Sequence, residues 1–271
     1  MYKIFDAHTH TYPEILAYRA VQNLSNFYNF HVDCAGTVQD LMNNCRDVGA
    51  SGFLLLGVAT NARQVRHVND AVAADLAAAR SAGFRAYGFA AMHQDTTDFE
   101  DELNHAVASS LSGVKLHPDI QEADIDDKRF FPLYELLSQR GLPICLHMGD
   151  YRPQYRFSEP QKLAHVLELF PSLSVLAAHF GGYKSWDSAV ECLRGKKNVV
   201  FDASSALWAM TPEYAKELID KLGAENVLFG TDYPVIKTSD YLKLFFDIPL
   251  SEREREMILW DNAARFLSIE E

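Results

Sequence analysis

The stretch Phe5-Asp6-Ala7-His8-Thr9-His10 decides the fold. It reads as an apolar strand that ends in two histidines one residue apart, and its turn carries no glycine. A doubly wound, dinucleotide-binding sheet would place a glycine-rich phosphate turn after its first strand. The absence of that turn favours a closed barrel if the remaining strands continue the pattern.

They do. Short runs rich in Val, Ile, Leu and Phe, bounded by Gly, Pro, Asn or Ser, predict strands near residues 3–8, 52–58, 84–92, 113–117, 143–147, 174–179, 198–203 and 226–231. Several are apolar on both faces, as parallel strands covered on both sides should be. Amphipathic stretches between them predict helices over 38–48, 64–81, 99–109, 131–139, 160–169, 186–194, 212–222 and 252–267. Strict alternation of eight strands with eight helices implies a parallel sheet. No Pro/Gly/Ser-rich seam divides the chain, so the expected architecture is α/β, a single (β/α)8 TIM barrel over residues 1–271.

Composition agrees with an ordinary globular chain. The 271 residues are 48% hydrophobic and 23% charged, with a formal charge of −12. A chain of this length buries roughly three-quarters of its unfolded surface and needs no disulfide to fold. The acidic balance argues against nucleic acid and against an anionic membrane. No apolar stretch is long enough to cross a bilayer. Cys34, Cys45, Cys145 and Cys192 form no C-x-x-C and read as reduced thiols, so a cytoplasmic protein is expected. The expected partner is a small-molecule substrate, and a homodimer is admitted.

Barrel active sites stand at the C-terminal ends of the strands. Six of the ten histidines fall there: His8, His10, His93, His117, His147 and His179, with Asp232 ending the eighth strand. Alternation places His8 and His10 on one face, pointing inward, with Asp6 one layer deeper. Imidazoles from several strands and a carboxylate suit one divalent cation, Zn²⁺ first, with Mn, Fe, Co or Ni also fitting. An H-x-H alone is weak, since chance supplies about 0.4 per chain of this composition. The combination with histidines ending strands five and six and an aspartate ending strand eight is far harder to obtain by chance.

The segments Phe5–His10, Gly113–Pro118, Leu146–Gly149, Ala178–Gly182 and Gly230–Pro234 resemble the amidohydrolase superfamily, most closely its amidohydrolase 2 branch. That branch includes aminocarboxymuconate-semialdehyde decarboxylase-like enzymes. The resemblance runs from residue 4 to Arg265. It implies one divalent metal, usually zinc, held by His8, His10, His147 and Asp232, with His179 catalytic.

Other residues carry open alternatives. Asp232 is read as both ligand and general base. His179 acts catalytically, ligates a second metal, or is structural. His117 contacts substrate, adds a ligand, or locks the loop before Pro118. Lys115 either bridges two metals as a carboxylated lysine or, the preferred reading, pairs with Asp6 or another interior carboxylate. Tyr151, Arg152, Tyr183 and Trp186 are expected at the mouth as substrate contacts. Asp150 stands where related deaminases place a glutamate, but the shorter side chain disfavours that reading. Cys145 and His93 are read as packing.

Two reaction classes share this site. A hydrolase would attack a C–N or C–O bond with a metal-activated water, Asp232 as base. A lyase, a non-oxidative decarboxylase or hydratase, would act on an aromatic or unsaturated acid, its carboxylate clamped by Arg152 or Arg156. Hydrolysis is placed first. A metal-stabilised scaffold and a related deoxyribonuclease are disfavoured by the intact ligand set and the −12 charge.

Overall fold

The structure, a computed structural model, describes residues 2–269. Eight strands run in the order of the chain: β1 (Phe5–Thr9), β2 (Gly52–Leu56), β3 (Arg85–Ala91), β4 (Val114–Leu116), β5 (Ile144–Leu146), β6 (Val175–Ala177), β7 (Val199–Asp202) and β8 (Val227–Leu228). Each pairs in parallel with the next. The ring closes between the last and the first. Ala7 N donates to Phe229 O at 2.8 Å, Asp232 N to His8 O at 2.9 Å and His10 N to Tyr233 O at 2.7 Å. The chain is a single (β/α)8 barrel.

The interior is filled by alternate residues of strands all around the ring. Phe5 and Ala7 pack with Leu54, Leu56, Phe89, Cys145, Leu176 and Leu228. Only the inside of a barrel brings these together. Trp260 joins this cluster, edge-on to Phe5 at 6.3 Å, with the Lys3 ammonium and the Arg85 guanidinium over its ring. Since Lys3 and Arg85 stand at the starts of β1 and β3, Trp260 closes the N-terminal end. The C-terminal end is left for the site.

The interior positions of β1 correct one expectation. Phe5 pairs with Gly52 and Asp6 with Phe53, but Thr9 pairs with Leu55, so β1 carries one extra residue between Asp6 and Thr9. This bulge reverses the facing of the strand. His8 and His10 still share the interior face, but Asp6 does not lie beneath them. It faces the β1–β8 seam, accepting from Thr231 N at 2.9 Å, Thr231 Oγ1 at 2.6 Å and His8 N at 3.2 Å.

Three predicted helices, Val38–Val48, Pro160–Leu169 and Pro212–Leu222, have the expected limits. Their punctuation explains why. Thr37 and Thr211 cap the first turns of Val38–Val48 and Pro212–Leu222, Pro160 and Pro212 open their helices, and Gly49 ends Val38–Val48 in the left-handed conformation. Strict alternation does not hold. Helices Glu14–Tyr28, Pro118–Gln121 and Thr238–Phe246 are additional, and the last predicted helix contains a π turn over Met257–Asp261. Glu14–Tyr28 buries only Ala17 and Val21 and leaves Ile15, Leu16 and Tyr18 exposed. Its inward stripe of Ala17, Val21, Leu24 and Tyr28 is blurred by these exposed apolar residues, and the region reads in sequence as a long loop.

Candidate metal centre

Two side chains at the C-terminal end of β1, His8 within it and His10 just past it, define the centre. His8 Nδ1 lies 2.8 Å from Asp202 Oδ2, and His10 Nδ1 lies 2.8 Å from the carbonyl of Leu56. Both partners only accept, so each neutral imidazole carries its proton on Nδ1. The two Nε2 lone pairs then face each other at 3.2 Å. Asp232 Oδ1 stands 3.5 Å from one and 3.4 Å from the other. Three electron-rich atoms converging in this way, with their protons turned outward, form a nest for a cation.

Asp232 enters on strained backbone, with φ of +64°. Ser205, also left-handed at φ +53°, donates through Oγ to Asp232 Oδ2 at 2.6 Å. Burial pushes the Asp232 carboxyl up. The His8 and His179 imidazoles and the His10 hydrogen bond more than offset this, holding it well below the usual carboxylate range. His8 is lowered to about 4, first by burial and then by Lys115. It is neutral at ordinary pH. Gly230 leaves room for this arrangement, because a Cβ there would come within 2.9 Å of His8 Cβ.

His179 ends its strand in a left-handed run with Phe180 and Gly181. Its Nδ1 donates to Ser204 O at 2.9 Å, its backbone N donates to Asp202 Oδ1 at 3.1 Å, and its carbonyl accepts from the Trp186 indole N–H at 3.1 Å. Its ring stacks on His8 at 5.2 Å. The Nε2 lone pair of His179 meets His147 Nδ1 at 3.0 Å, so His147 carries its proton there. His147 Nε2 is consequently a buried lone pair with no hydrogen-bond partner. Burial, then the neighbouring His117 and His179, push the His147 imidazole well below its ordinary value, so it too stays neutral. His147 stands beside the His8/His10/Asp232 cluster rather than within it.

Lys115 does not pair with Asp6. Its Nζ lies 3.4 Å from His8 Nε2 and 3.4 Å from Cys145 Sγ, and no carboxylate lies within ion-pair distance among the described residues. A second grouping, His8 with Cys145 and Asp202, lies deeper. Burial pushes the Cys145 thiol up to about 12, and both Asp202 oxygens already accept hydrogen bonds. This layer supports the centre above it.

The cavity over the cluster has aromatic walls of Tyr28, Phe30, Tyr151, Tyr183 and Trp208, above His147, His179, Ser205 and Asp232. Of the residues expected at the mouth, Tyr151 and Tyr183 line it. Arg152 does not. Its guanidinium is spent on Asp150 at 2.9 and 2.6 Å and on the carbonyl of Phe27, and it lies over the rings of Tyr155 and Phe27. Trp186 is buried beneath His179. His117 is stacked on His147 at 3.8 Å, with its Nε2 2.8 Å from the Tyr28 hydroxyl.

The family model described as amidohydrolase matches residues 6–269. The chain belongs to the amidohydrolase family. This family is divalent-metal-dependent, and the protein is an enzyme of that superfamily. A curated relative, 2-amino-3-carboxymuconate-6-semialdehyde decarboxylase of Caenorhabditis elegans, is 23% identical over 237 residues, covering 63% of this chain. The match spans 59% of that relative's length. Among solved structures, an uncharacterized TIM-barrel protein of Bordetella bronchiseptica superposes with a TM-score of 0.79 at 20% identity, over 98% of each chain. A dihydroxybenzoic acid decarboxylase of Polaromonas, solved with manganese and 2-nitroresorcinol, superposes with a TM-score of 0.72 at 15% identity, over 99% of this chain and 98% of that one. No helix among the described residues of this amidohydrolase is long and apolar enough to cross a membrane.

Reading strand ends for histidine missed Asp202, which orients His8 and, through its other oxygen, the backbone of His179 and Ser204. The signal was present: Asp202 ends β7 as a buried carboxylate, the same mark that singles out Asp232. Tyr28, Phe30 and Trp208 carried no such mark, because they arrive on segments outside the strand–helix pattern.

Proposed function

We propose that this amidohydrolase is a metal-dependent, non-oxidative decarboxylase of a small planar aromatic or unsaturated carboxylic acid. One observation carries the reading: a slot walled by five aromatic side chains is floored by His147, His179 and Asp232, the last a member of the His8/His10/Asp232 cluster. Flat walls suit a flat, conjugated substrate. The named relatives, two of them decarboxylases, support the lyase class over the hydrolysis placed first on sequence grounds.

His8, His10 and Asp232 hold the ion, with the unpartnered Nε2 of His147 as the fourth donor. Imidazole and carboxylate donors suit zinc or manganese. Bound there, a divalent ion supplies a Lewis acid that takes up negative charge on a substrate oxygen. Asp232, held ionised, is the proton carrier. It accepts a proton from an acidic substrate hydroxyl or from solvent and delivers it to the carbon bearing the carboxylate. As CO2 leaves, the electron pair of the broken C–C bond returns to the ring, and the new C–H bond remains. His179 holds its own proton on Nδ1 against Ser204 O and accepts from His147 Nδ1–H at 3.0 Å, so it positions His147 and keeps that ring's Nε2 lone pair turned toward the ion.

The test is CO2 release from a panel of hydroxybenzoates and unsaturated acids by zinc- or manganese-loaded protein, beside hydrolysis assays on lactones and amides. Asp232→Asn and His179→Asn are expected to lose at least 100-fold in kcat. Water-dependent ring opening without CO2 release, or unchanged kcat in both variants, rejects the proposal.

A further inference from the structure

We infer that Tyr28 is a substrate-recognition residue whose hydroxyl is committed as a hydrogen-bond donor to an oxyanion in the cavity. The inference rests on the carboxylic-acid reading above and adds the group that grips the acid.

The argument is one of tautomers. His8, His10 and His179 each bind an acceptor through Nδ1 and present Nε2 as a lone pair. His117 is the reverse. Its Nδ1 accepts from the backbone N–H of Ile120 at 3.3 Å, as the side-chain cap of the short helix Pro118–Gln121. A proton on Nδ1 would set two donors against each other, so the single proton of this buried imidazole resides on Nε2. That Nε2–H points at the Tyr28 oxygen, 2.8 Å away. The hydroxyl oxygen is thus an acceptor, and its own proton must turn elsewhere. No protein acceptor for it is found among the described residues. The space open to it is the cavity that Tyr28 lines together with His147 and Asp232.

The cavity makes such a donor necessary. No arginine or lysine is among its described lining residues, since Arg152 is tied to Asp150 and Phe27. Arg152 serves Tyr28 in another way. Its guanidinium lies 5.2 Å over the Tyr28 ring, whose other neighbour, Phe30, is stacked at 5.3 Å and 11°. The phenol is fixed in place, and its proton alone is free to turn toward a ligand. A neutral, oriented donor recognises an oxyanion without adding a cation beside the metal.

Two measurements decide the matter. In zinc-loaded protein with nitrogen-15 histidine, His117, assigned by loss of its signals in His117→Gln, is expected to show an unprotonated Nδ1 and a protonated Nε2. The opposite tautomer would make Tyr28 donate to His117 and overturns the inference. Second, the affinities of benzoate and salicylate are compared in wild type and Tyr28→Phe, which keeps the ring. A loss of about 10-fold or more is expected, with zinc affinity unchanged. Equal affinity in the variant overturns the assignment of Tyr28 alone. A wild type that binds neither acid overturns the carboxylic-acid reading and the assignment together.

Discussion

Replacing Asp202 by asparagine is the sharpest probe of the centre, because the change is isosteric and Asp202 touches no metal-facing atom. The carboxylate is surrounded by donors only. Oδ2 takes His8 Nδ1–H at 2.8 Å, while Oδ1 takes His179 N at 3.1 Å, Ser204 N at 3.0 Å and the Ser204 hydroxyl. An amide has one acceptor oxygen. If its NH2 faces the three donors, two backbone N–H groups lose a buried acceptor, at about 1–3 kcal/mol each. If the NH2 faces His8, the imidazole must accept at Nδ1 and move its proton to Nε2, which extinguishes one ligand lone pair. The second arrangement spares more hydrogen bonds, so the damage appears in the metal. Loss of such an orienting partner costs about 10–100-fold in metal affinity, or roughly 1.4–2.7 kcal/mol. Chelator-competition titration with zinc measures this directly, and the metal-free melting temperature separates it from folding. Asp202→Asn protein that binds zinc within two-fold of wild type would refute both the tautomer argument and the ligand role of His8.

Acid should destabilise the metal-free protein. His8, lowered to about 4, is neutral when folded, whereas an unfolded histidine binds its proton near pH 6.5. Stability is therefore lost as pH falls from 6.5 toward 4, about 3 kcal/mol for His8 alone. His117 and His147, also lowered, act with the same sign. Asp6, raised to about 7 by burial, opposes them, as do Asp75 and Asp119, which burial raises less, but the three imidazoles set the sign between pH 7.5 and 5. A urea midpoint as high at pH 5 as at pH 7.5 would contradict this. Gly230→Ala should weaken zinc binding several-fold and cost about 1–3 kcal/mol, since its methyl meets His8 Cβ at 2.9 Å. Titration and melting check both, and wild-type values for both would show that His8 has freedom to retreat. Arg152→Ala should speed amide exchange in residues 25–31 and 149–157, the two segments that the guanidinium ties. Unchanged exchange would mean that the aromatic packing alone holds the mouth.

The barrel was legible because its strands are buried on both faces and their ends carry the chemistry. His8, His10, His147, His179 and Asp232 could be found by asking what stands where each apolar run stops. The helix Glu14–Tyr28 was not read, and for a physical reason: exposed Ile15, Leu16 and Tyr18 blur the period of Ala17, Val21, Leu24 and Tyr28. It carries Tyr28 to the cavity, so one wall of the candidate site lay in a segment whose pattern was blurred. The bulge in β1 is a different case, because the residues themselves demand it. Phe5 and Ala7 fill the barrel, and directly after them His8 and His10 must face the same interior. Odd and even positions of one strand cannot share a face unless the register slips once between them. An H-x-H placed directly after an alternating apolar pair of the wrong parity is thus a statement that a bulge intervenes. Asp6, displaced from the interior by that slip, finds its donors in the seam where the barrel closes.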